Sequence, residues 1–462
     1  MTLLVRMLAM RRAKRLLLAG IVCFVIVYAW RASGKRKVVR WRGLAFNQQE
    51  MVDADMVICD SNDAKQPRVR DQQKWQDVKG RDTIVFSAYY EKSHFVRIVA
   101  NSRRDDSRPL LCVMWFETAG SSWAIREGVV TVLAQADEIP FHHERPWTSF
   151  YYICPLPLTP DIPYAISLAA TSCDTAPGNV LAVLNTPDVW RRTKVMFGLC
   201  FPMIMNDFSD IVPLVETLEM HRILGVEKVV VYNVSMGKAA ESLIREYQTE
   251  GFVDVVQWNI MDKLTTWTHP GTPRDSRLQI HYAGQVSCMN DCLHRYRHDF
   301  RYTALYDMDE IIVPNHQATW NEMLALFPKD YIGAYLFRNS FFGRVDTRVT
   351  SMDGDYCPLV KSDMQFTNNL ARSVKFFPPY RRTKSIVDPQ VVTKVGIHFA
   401  RDYVLGFTDY VVPVEIAYLH HYNSKNFKPR ESVSDNTLLK HKNELLRAVY
   451  DKLRCWKSKY DK

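Results

Sequence analysis

The chain has 462 residues, 47% of them hydrophobic and 24% charged, apolar material for about two or three folded domains. Its formal net charge of +10 is concentrated before residue 43, where eleven basic and no acidic side chains occur, so the remainder is close to neutral. That excludes a basic nucleic-acid-binding face as the meaning of the high pI, because such a face has to lie on the folded part.

Residues 16–30 carry no charge and end in Tyr28 and Trp30, aromatic residues suited to a membrane interface. The run is shorter than the roughly 20 residues that span a bilayer comfortably, so a cleaved signal peptide competes with an anchor. Trp30 and Arg31 stand where a cleavage site wants small residues, and the segment reads as an uncleaved signal anchor behind a cytoplasmic tail at 1–15. A short span suits the thin membranes of the early secretory pathway. Basic residues flank it on both sides, so charge does not orient it. Residues 31–80 are polar and read as a mostly extended stem.

Strand-like runs at 83–90, 95–100, 110–116, 128–133 and 150–154, separated by turn residues, predict a small mainly β domain of sandwich type over 81–190. From 194 the pattern alternates. A strand at 195–200 precedes a helix at 209–224, with Ile211, Leu214, Val215 and Leu218 on one face, Ser209 as cap and Gly225 as stop. A strand at 229–232, a helix at 238–249, a strand at 253–258 and a long helix at 278–296 follow. After residue 314 come strands at 332–338, 384–387, 391–397 and 415–419, then a basic helical tail at 426–462. The alternation therefore implies the α/β class, a parallel sheet with helices on both faces over 194–425, preceded by the β domain and the membrane anchor. Ligands of such sheets bind beyond the carboxyl ends of the strands, where Asn206, Asp207, Asn233, Asp307 and Asp309 fall.

The stretch Ala304-Leu305-Tyr306-Asp307-Met308-Asp309-Glu310-Ile311-Ile312-Val313-Pro314 carries the chemistry. Read as continuous strand, it puts Asp307 and Asp309 on one face. Two carboxylates there need something positive between them. A hard divalent cation with open positions for a diphosphate supplies it, whereas an acidic turn at a strand end is the plainer alternative.

Cys23 lies in the anchor; the nine other cysteines include no Cys-x-x-Cys pair and point to disulfides in an oxidising compartment, with the pairing open. The one Asn-x-Ser sequon, at Asn233, ends an apolar strand, where a site residue is as good a reading as a glycan acceptor.

Several phrases together resemble glycosyltransferase family 92: 84–90 (Ile-Val-Phe-Ser-Ala-Tyr-Tyr), 152–157 (Tyr-Ile-Cys-Pro-Leu-Pro), 210–216 (Asp-Ile-Val-Pro-Leu-Val-Glu), 221–226 (His-Arg-Ile-Leu-Gly-Val), the acidic motif at 306–314 and Leu419-His420-His421-Tyr422. The resemblance runs from about residue 80 to 425. It implies a GT-A type nucleotide-sugar-binding domain with a mixed sheet, a type II Golgi membrane protein with a lumenal catalytic domain, and Mn²⁺ or another divalent cation. It also implies inverting transfer of galactose from UDP-galactose to a terminal sugar of N-glycans. On that footing Asp309 is a direct metal ligand, Asp307 faces ribose or metal, and His421 completes the metal site. His420 and His398 are the substitutes for that histidine. Asn206, Asn233 and Lys384 border the nucleotide, with Arg382 a second candidate for phosphate. Tyr422 is followed by Asn423 where the family often has Arg, a departure that puts one contact in doubt.

Inversion in one displacement needs a carboxylate base. Asp353, Asp355 and Asp363 are the candidates, Asp363 first, while Trp267, Trp320, Phe341 and Phe342 are candidates for stacking on the acceptor. A membrane-anchored sugar-binding protein without transfer, and a nucleotide-sugar hydrolase, are the rival readings.

Overall fold

A computed structural model describes residues 28–29, 37–44, 51–58, 67, 69, 73–92, 94–117, 128–141, 143–157, 161–174, 177–191, 194–266, 278–343, 364–422 and 432–460. The expected membrane span lies outside these residues except for Tyr28–Ala29, a short strand paired with Val38 and Val39. Among the described residues no helix is long and apolar enough to cross a membrane. Part of the segment read as stem is sheet: Lys37–Leu44 pairs with Met51–Ile58, which pairs with Val129–Leu133. Val52, Ala54, Met56 and Ile58 alternate with Asp53, Asp55 and Val57, a strand period inside a polar composition.

The amino-terminal strands form one twelve-stranded sheet, not two packed sheets. It curls because Leu181–Leu184 pairs on one side with Ala165–Ala169 and on the other, in parallel, with Thr83–Glu91. The inside holds Val85, Ala88, Ile98, Met114, Val132 and Leu168, and the Cys112–Cys154 disulfide crosses it.

The α/β part carries a seven-stranded sheet in the order Val253–Gln257, Lys228–Asn233, Val195–Ile204, Phe300–Leu305, Lys384–Val387, Ile332–Phe337, Thr408–Val411. The first four strands are parallel and Lys384–Val387 runs against its neighbours, so the sheet is mixed. Val229, Val230, Val231 and Tyr232 are all fully buried, as expected of a parallel strand covered on both faces. A three-stranded sheet, Glu310–Pro314, Ala417–His421 and Asn339–Phe341, stands beside it.

Helix boundaries differ from the expected ones in instructive ways. The first helix is Ile211–Ile223 with Asp210 at its cap position; Ser209 Oγ instead donates to the Asp207 carbonyl. The helix expected at 278–296 is Gln285–Arg295, because Tyr282, Ala283 and Gly284 all take positive φ and break the helical path. The carboxyl-terminal helix Lys442–Tyr460 is no appendage: its Leu445, Leu446, Val449 and Leu453 share one core with Leu214, Leu218 and Val231.

Gln285–Arg295 is wedged between the two parts. Cys292 is disulfide-bonded to Cys200 on the central strand. Asp291, fully buried, accepts from Tyr89 (2.7 Å) and Ser87 of the curled sheet, from Tyr232 (2.5 Å), and from Arg295 (2.9 Å). A buried carboxylate so thoroughly satisfied fixes the seam between the two sheets.

Several buried histidines give the fold a directional acid response. Burial pushes His221 down to about 4, with its Nε2 2.8 Å from Tyr306 Oη and Nδ1 2.7 Å from the Thr217 carbonyl oxygen. Burial lowers His294 to about 3. A histidine whose folded pKa lies below its unfolded value of about 6.5 stays neutral while the unfolded chain takes up protons. Stability should therefore be intact above about pH 6.5 and fall as pH drops toward 4, each histidine adding up to about 1.4 kcal/mol per pH unit to the slope. Urea unfolding at pH 7 and pH 5 measures it. His221→Phe should lose stability at pH 7 yet show a shallower slope, and an unchanged slope would refute the assignment.

Candidate functional site

Asp307 and Asp309 do not lie on one strand. Phe300–Leu305 ends in the seven-stranded sheet, Glu310–Pro314 begins in the small one, and residues 307–310 turn between them, with Glu310 N donating to the Asp307 carbonyl at 3.1 Å. The apolar runs on both sides made the segment look continuous, but they belong to different sheets. The turn parts the two carboxylates, and each has its own surroundings.

Asp307 is tied down. Lys384 Nζ lies 3.0 Å from its Oδ2, and Gln285 Nε2, at the start of the wedged helix, donates to its Oδ1 at 2.8 Å. Burial by itself raises the Asp307 pKa, but Lys384 outweighs it and holds the group below the usual carboxylate range. Lys384 also lies 3.1 Å from Glu310 Oε2 and is 2% exposed. Burial opposes its charge, yet the two carboxylates raise its pKa above the ordinary lysine value. The reading of Lys384 as a phosphate contact must contend with this: its ammonium is already shared between Asp307 and Glu310. Glu310, 3% exposed at its side chain, has its pKa raised by burial despite Lys384 and His421.

Asp309 is one-third exposed, and its carboxylate Oδ2 lies 3.7 Å from His421 Nε2. Strand pairing brings them together, since Glu310 lies directly opposite His421 in the antiparallel register. The histidines fall within the strand Ala417–His421, two residues beyond the expected end. Successive strand residues face opposite ways. His421 faces the carboxylates, its Nδ1 3.1 Å from Glu310 Oε1 and its ring against Phe341. His420 faces the core, fully buried and stacked on Phe342 and Tyr418. Burial disfavours the charged form of His421, but Glu310 and then Asp309 more than compensate and raise its pKa.

His421 Nε2 is buried and has no hydrogen-bond partner. An imidazole nitrogen and a carboxylate oxygen facing each other across that gap fit a divalent cation such as Mn²⁺. Among the described residues no three His, Cys, Asp or Glu side chains are grouped to hold a metal. Two protein ligands with the other positions left to diphosphate oxygens and water are the usual arrangement for such ions at phosphates.

The remaining expected residues are distributed around this centre. Asn206 (φ 65°) follows the central strand, next to Asp207, whose amide donates to Ser235 Oγ. Asn233 ends its strand, donating to Gln257 Oε1 at 3.2 Å while its own Oδ1 is buried without a partner. Both stand at the carboxyl edge of the parallel strands. His398 is pushed down to about 4 by burial, with the nearby Lys384 adding to it; it lines a small cavity with Lys384, Gly396 and Phe399. Trp320 is not available for stacking on a sugar: it is fully buried and its Nε1 donates to the Ile312 carbonyl. Phe341 and Phe342 pack on His421 and His420. Asp353, Asp355, Asp363 and Trp267 lie outside the described residues.

Glu310, Gln285 and Tyr282 were missed in the sequence. The Tyr282 phenol, pushed up to about 12 by burial, lies within electrostatic reach of Asp307 and Asp309. Glu310 was legible in principle, as a charge leading an otherwise apolar run; nothing local marks Gln285 or Tyr282.

A mixed α/β sheet bearing an acidic turn at its edge fits a glycosyltransferase domain. The chain belongs to glycosyltransferase family 92, whose family model matches residues 195–454, more than half of its length. It is similar to two family 92 proteins of Caenorhabditis elegans, ZK381.2 (25% identical over 173 residues, 36% of this chain and 31% of the relative) and C33H5.2 (24% over 187 residues, 39% and 33%). It is also similar to the beta-1,4-galactosyltransferase galt-1 of the same organism, 20% identical over 273 residues, 56% of this chain and 57% of the relative. The chain spans about a third of the length of the first two relatives.

Proposed function

We propose that this protein is an inverting, metal-dependent glycosyltransferase of the GT-A type that moves galactose from UDP-galactose to a terminal sugar of N-glycans. The observation that carries the reading is the buried, unpartnered His421 Nε2 facing Asp309 across 3.7 Å beside a turn at the sheet's carboxyl edge. Similarity to a relative named as a beta-1,4-galactosyltransferase supports galactose as the sugar and a β-1,4 linkage.

Asp309 and His421 would hold Mn²⁺, which when bound stabilises the negative charge of a departing UDP. Lys384 and Gln285 fix Asp307, and with it the turn that aims Asp309. Asn206 and Asn233 border the nucleotide at the edge. Asp363 is our assignment for the base that takes the acceptor hydroxyl proton, ahead of Asp353 and Asp355. Incubation of the purified protein with UDP-galactose, Mn²⁺ and defined N-glycans tests the whole reading. Galactose released equally without acceptor would make the protein a hydrolase instead.

The two histidines separate metal binding from packing. His421→Ala should raise the Mn²⁺ concentration for half-maximal rate by about tenfold or more, as for other perturbed ligand shells. His420→Ala should lower stability, by about 2–4 kcal/mol for a large buried side chain, with the Mn²⁺ requirement unchanged. Mn²⁺ titration of both variants decides it; the reverse pattern would move the ligand to His420.

We place the protein in the Golgi membrane, single-pass and type II, with the folded part in the lumen. The disulfides Cys112–Cys154 and Cys200–Cys292 support an oxidising compartment. A carboxyl-terminal tag should resist protease in intact microsomes, and its digestion without detergent would contradict the placement.

A further inference from the structure

The segment of the curled sheet between Gln135–Ile139 and Trp147–Pro155 reaches across to the α/β part. Phe141, His143 and Glu144 all have positive φ (109°, 49° and 62°), a backbone path that non-glycine residues take at a cost and that surrounding contacts must hold. Those contacts come from two directions. On one side, the His143 ring stacks on His281 with centroids 3.8 Å apart, and Trp147 N donates to the Gln279 carbonyl at 3.0 Å. On the other, Phe141 lies so close to Gly396 that a Cβ there would come within 2.4 Å of its ring, and Arg401 stacks on Phe141 and Phe399.

Both contacted elements border the acidic centre. His281 lies four residues before Gln285, whose Nε2 donates to Asp307 Oδ1 at 2.8 Å. Gly396, His398 and Phe399 line a cavity with Lys384, whose Nζ lies 3.0 Å from Asp307 Oδ2. The loop is therefore inserted between two walls of the site, yet it lies in a part of the chain outside the family-matched residues 195–454. His143 is exposed, its ring backed by half-buried His281.

Resting on the glycosyltransferase reading, we propose that residues 140–141 and 143–146 form the specificity element of the acceptor site, and that the His143 ring, backed by His281, is the platform on which a neutral sugar ring of the acceptor lies. A flat ring held rigid by a second ring behind it offers contact area at little entropic cost, and the path of the loop fixes its tilt. The residues assigned to the donor, Asn206, Asn233 and Asp309, lie on the α/β part, and the loop is assigned to the acceptor.

The test uses full-length protein, N-glycan acceptors and three forms of residue 143. His143→Ala should raise the acceptor KM about tenfold, the worth of one ring contact. The KM for UDP-galactose and kcat should stay within about twofold. His143→Phe, which keeps a ring over His281, should restore the acceptor KM to within about threefold. Saturation-transfer NMR with the free N-glycan reports binding without turnover. Glycan saturation in the wild type that His143→Ala removes, together with no galactose transfer by either, would sink the transferase reading and leave the platform standing. Transfer by the wild type with an acceptor KM indifferent to His143→Ala would sink the platform alone, as would a wild type that shows no glycan saturation at all.

Discussion

Asp309→Ala is expected to lower kcat/KM for galactose transfer by at least about 100-fold, with the fold left nearly intact. The two halves of that expectation come from different atoms. The structural work of Asp309 is done by its main chain, whose carbonyl accepts from Tyr422 N at 2.9 Å and keeps the turn on the strand that carries His421. Alanine retains that bond. The carboxylate is one-third exposed and faces His421 Nε2, so its loss costs little packing. What alanine removes is a charged ligand from a site that must offset the charge growing on a departing diphosphate, an effect of several kcal/mol in comparable sites. The measurement is the rate at saturating Mn²⁺ beside the urea midpoint. Activity within about tenfold of wild type, with metal in excess, would remove Asp309 from the metal and end the assignment of the turn as the catalytic centre.

Much of this centre was legible in the amino-acid sequence, and the exceptions share a cause. The parallel half of the sheet was readable because Val229, Val230 and Val231 form an unbroken apolar run between two helices. Strand alternation required that only one of His420 and His421 face the acidic turn, the family resemblance pointed to His421, and the two side chains lie on opposite faces. The geometry of Asp307 and Asp309 did not follow, because a strand continuing in one sheet and a strand crossing to another look identical in residue pattern. The ion pairs of Lys384 were hidden for a similar reason. Beside Arg381, Arg382 and Thr383 nothing local marks it as buried against two carboxylates. Its burial is decided by the antiparallel register that pairs Ser385 with Leu305, 80 residues away. That pairing sets Lys384 against the acidic turn.

The same register makes Lys384 the position where substitution should cost most stability. In Lys384→Met the buried methylene stem is largely replaced, but Asp307 and Glu310 lose the ammonium that stood 3.0 and 3.1 Å from them. Removing one partner of a buried ion pair typically costs about 3–5 kcal/mol. Asp307 is a third exposed and water screens part of its charge, so roughly 2–4 kcal/mol is expected here. The pH dependence identifies the cause. In wild type the raised pKa of Lys384 means its contribution is fully present below the unfolded lysine value of about 10.4, so it is constant across neutral pH. In the variant, Glu310 keeps His421 at 3.1 Å but has lost Lys384, the stronger of the two charges that oppose burial, and its pKa, already raised by burial, rises further. The folded variant then holds a proton that the unfolded chain, with a glutamate pKa near about 4.3, does not. Its deficit should therefore grow as pH rises from 5 to 8 and shrink toward acid. Adding Glu310→Gln should recover a large share of the loss at pH 8, because it removes the buried carboxylate that was left without its lysine. Urea unfolding of wild type, single and double variants at both pH values measures the effect. A deficit equal at pH 5 and pH 8, or no recovery in the double variant, would show that Lys384 holds this turn by packing rather than by charge.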